Sequence, residues 1–116
     1  MTVQQLAGLR RKDLQQHDLT APGREVIQHR VELTPEAPAI RHWHPGEEII
    51  YVLEGSLEYE IDGMPPATVS AGEPFFVPAE AIHAVRNVGN SNAVELATYV
   101  VEKGKPLLNP ATDQGV

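Results

Sequence analysis

The 116-residue chain, 41 % hydrophobic and 22 % charged, is long enough for one domain with its own apolar core but too short for a second. It contains no cysteine, which excludes thiol nucleophiles, zinc–thiolate sites, iron–sulfur clusters and disulfides. Its net charge of −7 argues against nucleic acid as a partner, and no apolar stretch approaches the roughly 20 residues of a membrane span, so we expect a soluble, cytoplasmic protein.

The N-terminal segment has a weak helical pattern. Thr2 and Gln5 have the spacing of a capping box, and Val3, Leu6 and Leu9 would share one helix face. This pattern predicts a helix within the first dozen residues. We place an N-terminal arm at 1–23, a barrel domain at 24–102 and a C-terminal tail at 103–116.

Short segments rich in Val, Ile and Tyr follow, separated by many of the chain's ten prolines and nine glycines. Leu57, Tyr59 and Ile61 alternate with acidic residues, which predicts a strand with one buried face. Short strands of this number favour an all-β sandwich or barrel, and we also expect Tyr51, Phe75 and Phe76 in its core. The predicted strands are 26–33, 39–44, 48–54, 57–62, 68–70, 74–77, 83–87 and 93–101.

The strongest chemical signal is the segment from Arg41 to Glu48. On a strand, His42 and His44 point the same way with Cα atoms about 7 Å apart, so both imidazoles can reach one ion. A straight strand would put Glu48 about 13 Å beyond His44, too far to share that ion. We therefore predict a bend at Pro45-Gly46, as a type II turn with positive φ at the glycine. Taken alone, the histidine pair also fits ordinary strand residues.

With a second cluster further along the chain, this segment resembles the cupin superfamily. The first motif of that family has two histidines separated by one residue, followed by a glutamate and a glycine. The second motif has a glycine, a proline, a histidine and an asparagine. Two further glycine positions of the family differ here, being Glu36 and Glu80, and both fall in loops. The residues that match the two motifs are His42, His44, Glu48, Gly55, Gly72, Pro78, His83 and Asn87.

The resemblance implies a conical antiparallel β-barrel of the jelly-roll type, commonly a homodimer. It also implies one divalent metal ion per chain (Fe, Mn, Ni, Cu or Zn) held by His42, His44, Glu48 and His83. In an octahedral ion this ligand set leaves two positions for water or substrate, so chemistry at the metal is possible.

The leading functional hypothesis is a dioxygenase-type oxidoreductase of the quercetinase-like kind, acting on a small enolic, phenolic or carboxylic substrate, with Glu48 in a catalytic role. The alternatives are a non-catalytic binding or sensor module and a metal-dependent isomerase or lyase. His17 and His29 have no other potential metal ligands in a matching pattern near them in the sequence, and we interpret them as exposed or strand-face residues. Trp43 faces opposite to its histidine neighbours, which favours outer-face packing or a subunit contact.

Overall fold

The computed structural model describes residues 7–112, and within that range all the regular structure is β-strand. Among these residues there is no helix of the length and apolarity that a membrane crossing requires. The strands are β1 (Leu9–Asp18), β2 (Arg24–Leu33), β3 (His42–Trp43), β4 (Gly46–Glu54), β5 (Ser56–Ile61), β6 (Ala67–Ser70), β7 (Pro74–Val77), β8 (His83–Asn87), β9 (Ala93–Glu102) and β10 (Asn109–Pro110).

The strands form two five-stranded sheets in which every pair is antiparallel. The first sheet has the order β1-β2-β9-β4-β7, and the second has the order β10-β3-β8-β5-β6. The chain crosses between the sheets from β2 to β3, from β3 to β4 and from β4 to β5, as in a jelly roll. The all-β jelly-roll prediction is confirmed.

The core lies between the sheets and follows the two-residue period of the strands. In β5, Leu57, Tyr59 and Ile61 are buried, as the alternation predicts. The prediction is wrong for Tyr51 and Phe76, whose side chains are 45 % and 53 % exposed. On their strands the neighbouring positions point inward, which leaves these two aromatic rings outside. The buried hydrophobic cluster comprises Val31, Leu33, Ala37, Ile50, Val52, Leu57, Tyr59, Val69, Val77, Ala93, Ala97, Tyr99 and Val101.

Two strands were not predicted. β1 pairs with β2 from Leu9 opposite Leu33 to Asp18 opposite Glu25, with a bulge at Leu14, so the predicted helix is wrong from Leu9 onward. Residues 1–6 lie outside the described range. β1 is a polar edge strand held by backbone hydrogen bonds, so no apolar alternation marks it in the sequence. The two-residue strand β10 pairs with β3; the boundaries 1–23, 24–102 and 103–116 stay a prediction.

Candidate metal centre

Three short segments bring the predicted ligands into one buried cluster. His42 on β3 lies directly opposite His83 on β8 in the second sheet. His44 follows β3, where the chain crosses to the first sheet, and Glu48 is on β4 in that sheet. All four side chains are buried. The structure therefore brings together all four predicted ligands, including Glu48, which a straight strand would place too far from His44.

The bend before Glu48 is present, but its predicted turn type is wrong. Gly46 does not have positive φ; it is the first residue of β4 and pairs with Val101 on β9. A Cβ at this position would lie 2.0 Å from the Val100 carbonyl oxygen and 2.7 Å from the Val101 Cα. Glycine is needed here because the backbones of β4 and β9 approach closely, not because of an unusual dihedral angle.

Backbone carbonyls fix the orientation of all three imidazoles. A carbonyl oxygen only accepts, so each Nδ1 carries a proton and donates it, and in the neutral ring each Nε2 keeps its lone pair. This is how proteins commonly orient histidines that bind metals. The hydrogen bonds run from His42 Nδ1 to Ile40 O (2.7 Å), from His44 Nδ1 to Leu107 O (2.8 Å) and from His83 Nδ1 to Ala81 O (2.9 Å).

The remaining ligand atoms face one another. One ring nitrogen from each of His42, His44 and His83 lies within 4.8 Å of the other two. Glu48 Oε1 is 3.2 Å from His44 Nε2 and 3.2 Å from His83 Nε2. His44 Nε2 is nevertheless buried without a hydrogen-bond partner among the described residues. An orphaned nitrogen beside two others and a carboxylate fits a divalent cation, because imidazole and carboxylate are its usual ligands.

The electrostatics of the cluster agree with that fit. Burial and the neighbouring imidazoles of His83 and His44 lower the pKa of His42 to about 3, so its ring is neutral near pH 7. Burial alone would raise the pKa of the Glu48 carboxyl, but its contacts with His44 and His83 bring the net shift below the ordinary value. Burial opposes charge on His83 as well, yet Glu48 raises the His83 pKa above the usual range, because without a cation His83 Nε2 gains a proton that it donates to the carboxylate. Glu48 is thus an anion in a pocket that favours a positive partner.

A cavity adjoins the cluster and contains polar groups that the sequence analysis missed. His42, Glu48 and His83 line it together with Arg11, Glu95 and other residues. Tyr59 donates a hydrogen bond of 2.6 Å to Glu95 Oε1, and burial and the repulsion from Glu48 raise the pKa of Glu95 to about 7. The predicted strand 93–101 carried a signal for Glu95, since period two places it on the same face as Ala97. No pattern in the sequence identified Arg11, because it lies on β1, which was not predicted as a strand.

The remaining predicted residues have structural roles or lie on the surface. His17 is exposed, as expected. His29 is a strand-face residue but is buried, with its ring edge-on to Tyr99. The Asn87 side chain holds the following loop by bonding to Leu33 O, Ser91 O and Gly89 N. Trp43 is half-buried beside β10, and its role in a subunit contact stays a prediction.

The two departures from the family motif differ in consequence. Glu80, where the family has glycine, adopts a φ of 61°, so the chain keeps the left-handed turn without the residue that favours it. Its N–H donates to the His44 carbonyl, which ties this turn to the metal cluster. Glu36 shows no positive φ.

Comparison with known proteins places the chain in a family. The model described as "Cupin domain" matches residues 29–104. A putative germin-like protein 3-2 from Oryza sativa subsp. japonica is 33 % identical over 79 residues, covering 64 % of this chain and 36 % of that protein. Dimethylsulfoniopropionate lyase DddQ from Ruegeria pomeroyi is 40 % identical over 45 residues, covering 39 % of this chain and 22 % of the lyase.

Structural similarity extends over the whole chain. A recombinant oxalate oxidase in complex with glycolate superposes with a TM-score of 0.72 at 23 % identity, covering 100 % of this chain and 64 % of the oxidase. The chain thus spans about a fifth to a third of the two curated relatives and less than two thirds of this structural neighbour. At this identity the superposition establishes the fold alone, while the family match covers more than half of the chain. This protein belongs to the cupin domain family.

Proposed function

We propose that this protein is a metal-dependent enzyme that holds one divalent cation through His42, His44, Glu48 and His83. One observation carries the proposal: three imidazoles have their Nδ1 protons committed to backbone carbonyls, so three Nε2 atoms are left to bind a cation beside the buried Glu48 carboxylate. Leaving such a set without a cation would bury polar atoms with no partner, as at His44 Nε2.

The favoured reaction class is an O₂-consuming oxidation of a small, oxygen-rich substrate. A cation held by four protein ligands keeps positions open for exogenous ligands, and when bound it supplies charge stabilisation and a template for two reactants. The chain's own residues provide a recess for them, with apolar walls that include Val31, Ile40 and Val85. Such walls exclude water, and at the same recess Glu95 and the Tyr59 hydroxyl can hold or move a proton.

The relatives favour an enzyme over a sensor. They include a dimethylsulfoniopropionate lyase and an oxalate oxidase. A metal-dependent lyase that does not consume O₂ is the second candidate, because the same recess and cation would serve that reaction too. A non-catalytic binding module would hold the metal and a ligand without turnover.

The metal assignment is tested by elemental analysis of purified protein and variants. We expect close to one divalent ion per wild-type chain, and a sharp loss in His44→Ala and His83→Ala. His17→Ala is the matched control, because His17 is exposed and far from the cluster in sequence. Full occupancy in both ligand variants would refute the assignment.

The reaction class is tested on iron-loaded protein with candidate hydroxy, keto and phenolic acids. Substrate-dependent oxygen uptake supports the oxidation, whereas product formation without oxygen uptake supports the lyase. Glu48→Gln should retain some metal through the three histidines, with affinity lowered about 10- to 100-fold. If Glu48 is catalytic, turnover at saturating metal should fall much further than occupancy, and unchanged turnover would remove that role.

A further inference from the structure

Arg11 is a largely buried cation whose position is fixed at one end of its guanidinium. It extends from β1 into the cavity beside the metal cluster. Its Nη1 donates to the Tyr99 hydroxyl at 2.9 Å and lies 3.1 Å from His29 Nδ1. Arginine has only donors, so His29 Nδ1 must accept, and the ring proton is then on Nε2, 3.1 Å from Asp13 Oδ1. Asp13 and His29 therefore act together to hold Arg11 in place.

The opposite edge of the same guanidinium has no partner in the described part of the chain. Arg11 Nε is buried and makes no hydrogen bond, and Nη2 makes none to residues 7–112. No Asp or Glu of that range forms an ion pair with Arg11 within 4.0 Å. The carboxylates of Glu95 and Glu48 line the same cavity and interact electrostatically with Arg11, but neither forms an ion pair with it. A desolvated guanidinium is normally paired directly with a counter-ion, because burying a charge without a contact partner is costly. The Nε and Nη2 protons point the same way, and this edge binds a carboxylate through two parallel hydrogen bonds.

The cavity limits what that counter-ion can be. It is a small cavity of about 30 Å³ that is partly open to solvent. A molecule of a few non-hydrogen atoms suits this space, whereas a flavonoid or other polycyclic phenol exceeds it. Arg11 and the ligands His42, Glu48 and His83 line the same cavity, so one small molecule can touch both the guanidinium and the cation site.

We propose that the cavity binds a small aliphatic 2-hydroxy or 2-keto carboxylate, with the Nε–Nη2 edge of Arg11 as the group that recognises its carboxylate. Arg11 is thereby the specificity-determining residue, and His29 and Tyr99 are its positioning residues. The proposal rests on the proposed function for the coordination of the substrate's second oxygen by the cation. It replaces the wide range of enolic, phenolic and carboxylic substrates with one chemical class.

Nitrogen-15 NMR of the Arg11 side chain provides a direct test. Zinc-loaded and metal-free protein are titrated with glycolate and with glycolamide, which has the same number of heavy atoms but no charge. We expect glycolate to shift the Arg11 Nε resonance in both forms, with tighter binding when zinc is present. Glycolamide should bind at least about 10-fold more weakly, because it cannot form a charge-assisted pair. Mandelate, which is glycolate with a phenyl ring, should not shift the resonance.

Variants separate this inference from the proposed function. Arg11→Gln should weaken glycolate binding about 10- to 100-fold while zinc occupancy stays unchanged. Arg11→Lys keeps the positive charge but cannot form two parallel hydrogen bonds, so it should weaken glycolate binding by a smaller factor. The matched control is Arg10→Gln, since Arg10 is the exposed neighbour on the same strand.

The outcomes are distinct. A wild-type chain that holds no zinc, but in which glycolate still shifts Arg11 Nε, contradicts the proposed function and supports the role of Arg11. An Arg11 Nε resonance unmoved by glycolate in both forms overturns the role of Arg11, whether or not the variants fold. Equal glycolate affinity in wild type and Arg11→Gln overturns it as well.

Discussion

Replacing Gly46 with alanine tests how strongly the metal cluster depends on the close approach of two strands. The new Cβ would lie 2.0 Å from the Val100 carbonyl oxygen, whereas ordinary contacts begin at 3.4 Å. β4 and β9 would have to separate locally by about 1.4 Å, and the obstacle is backbone rather than a flexible side chain. We expect the free energy of unfolding to fall by about 3 kcal/mol, near the upper end of ordinary overpacking.

Thermal and urea denaturation of the metal-free protein measure this effect. For a domain of this length, 3 kcal/mol corresponds to a fall in Tm of about 12 °C. Because His44 and Glu48 are each two residues from Gly46, metal occupancy should fall too. Gly89→Ala is the matched control: Gly89 has no positive φ and its Cβ would lie 3.5 Å from a side-chain oxygen, so we expect a change within about 0.5 kcal/mol. Equal stability of the Gly46 and Gly89 variants would refute the reasoning.

Three further predictions concern a turn, a titrating carboxyl and an outer face. Glu80→Gly should raise the free energy of unfolding by about 0.5–1 kcal/mol in urea denaturation. Glycine removes the strain of the left-handed φ, and this gain exceeds the cost of the extra conformational entropy that glycine gives the unfolded chain. A destabilised variant would contradict this prediction. Burial and the Glu48 carboxylate raise the pKa of Glu95 from 4.5 to about 7, so between those values the native state holds a proton that the unfolded chain has released. Between pH 4.5 and about 7, the free energy of unfolding of the metal-free wild type should therefore fall by up to about 1.4 kcal/mol per pH unit relative to that of Glu95→Gln. Parallel pH profiles of the two proteins would contradict the raised pKa of Glu95. Finally, we expect the wild type to be a homodimer by light scattering and Phe76→Glu to be a monomer. Phe76 is 53 % exposed and lies opposite Ile49, whose side chain also faces outward, so the two form an exposed apolar patch. A monomeric wild type would exclude the dimer.

Local chain chemistry made the strands predictable where one face is buried. β7 and β8 have the predicted bounds: Gly72 and Pro78 flank β7, and Gly89 follows β8. Burial of alternate residues in β5 also followed from period two. Tyr51 and Phe76 were assigned to the wrong face because an apolar side chain looks the same in sequence whether it lies inside or on an outer surface.

The site divides in a similar way. The resemblance to the two cupin motifs implied the ligand set His42, His44, Glu48 and His83, and the structure brings all four together. Arg11 was not predictable, because its contact with Tyr99 joins residues 88 apart and depends on the pairing of β1 with β2 and β9. Tertiary register, which a single sequence does not state, placed this cation beside the cluster.

The close approach at Gly46 was hidden for the same reason. A Pro-Gly pair is a common turn signal, and nothing local distinguishes a turn glycine from one that a neighbouring strand touches. Only the pairing of Gly46 with Val101 shows that the space for a side chain is missing.

The central claim is that four side chains on three segments of the chain bind one cation. Anomalous diffraction from crystals of the purified protein, collected at the absorption edge of the metal found by elemental analysis, tests it most directly. We predict a single strong peak per chain, about 2 Å from the Nε2 atoms of His42, His44 and His83 and from a Glu48 carboxylate oxygen. A peak elsewhere, or crystals without a peak at these residues after growth with Mn²⁺, Fe²⁺ or Zn²⁺, would contradict the account.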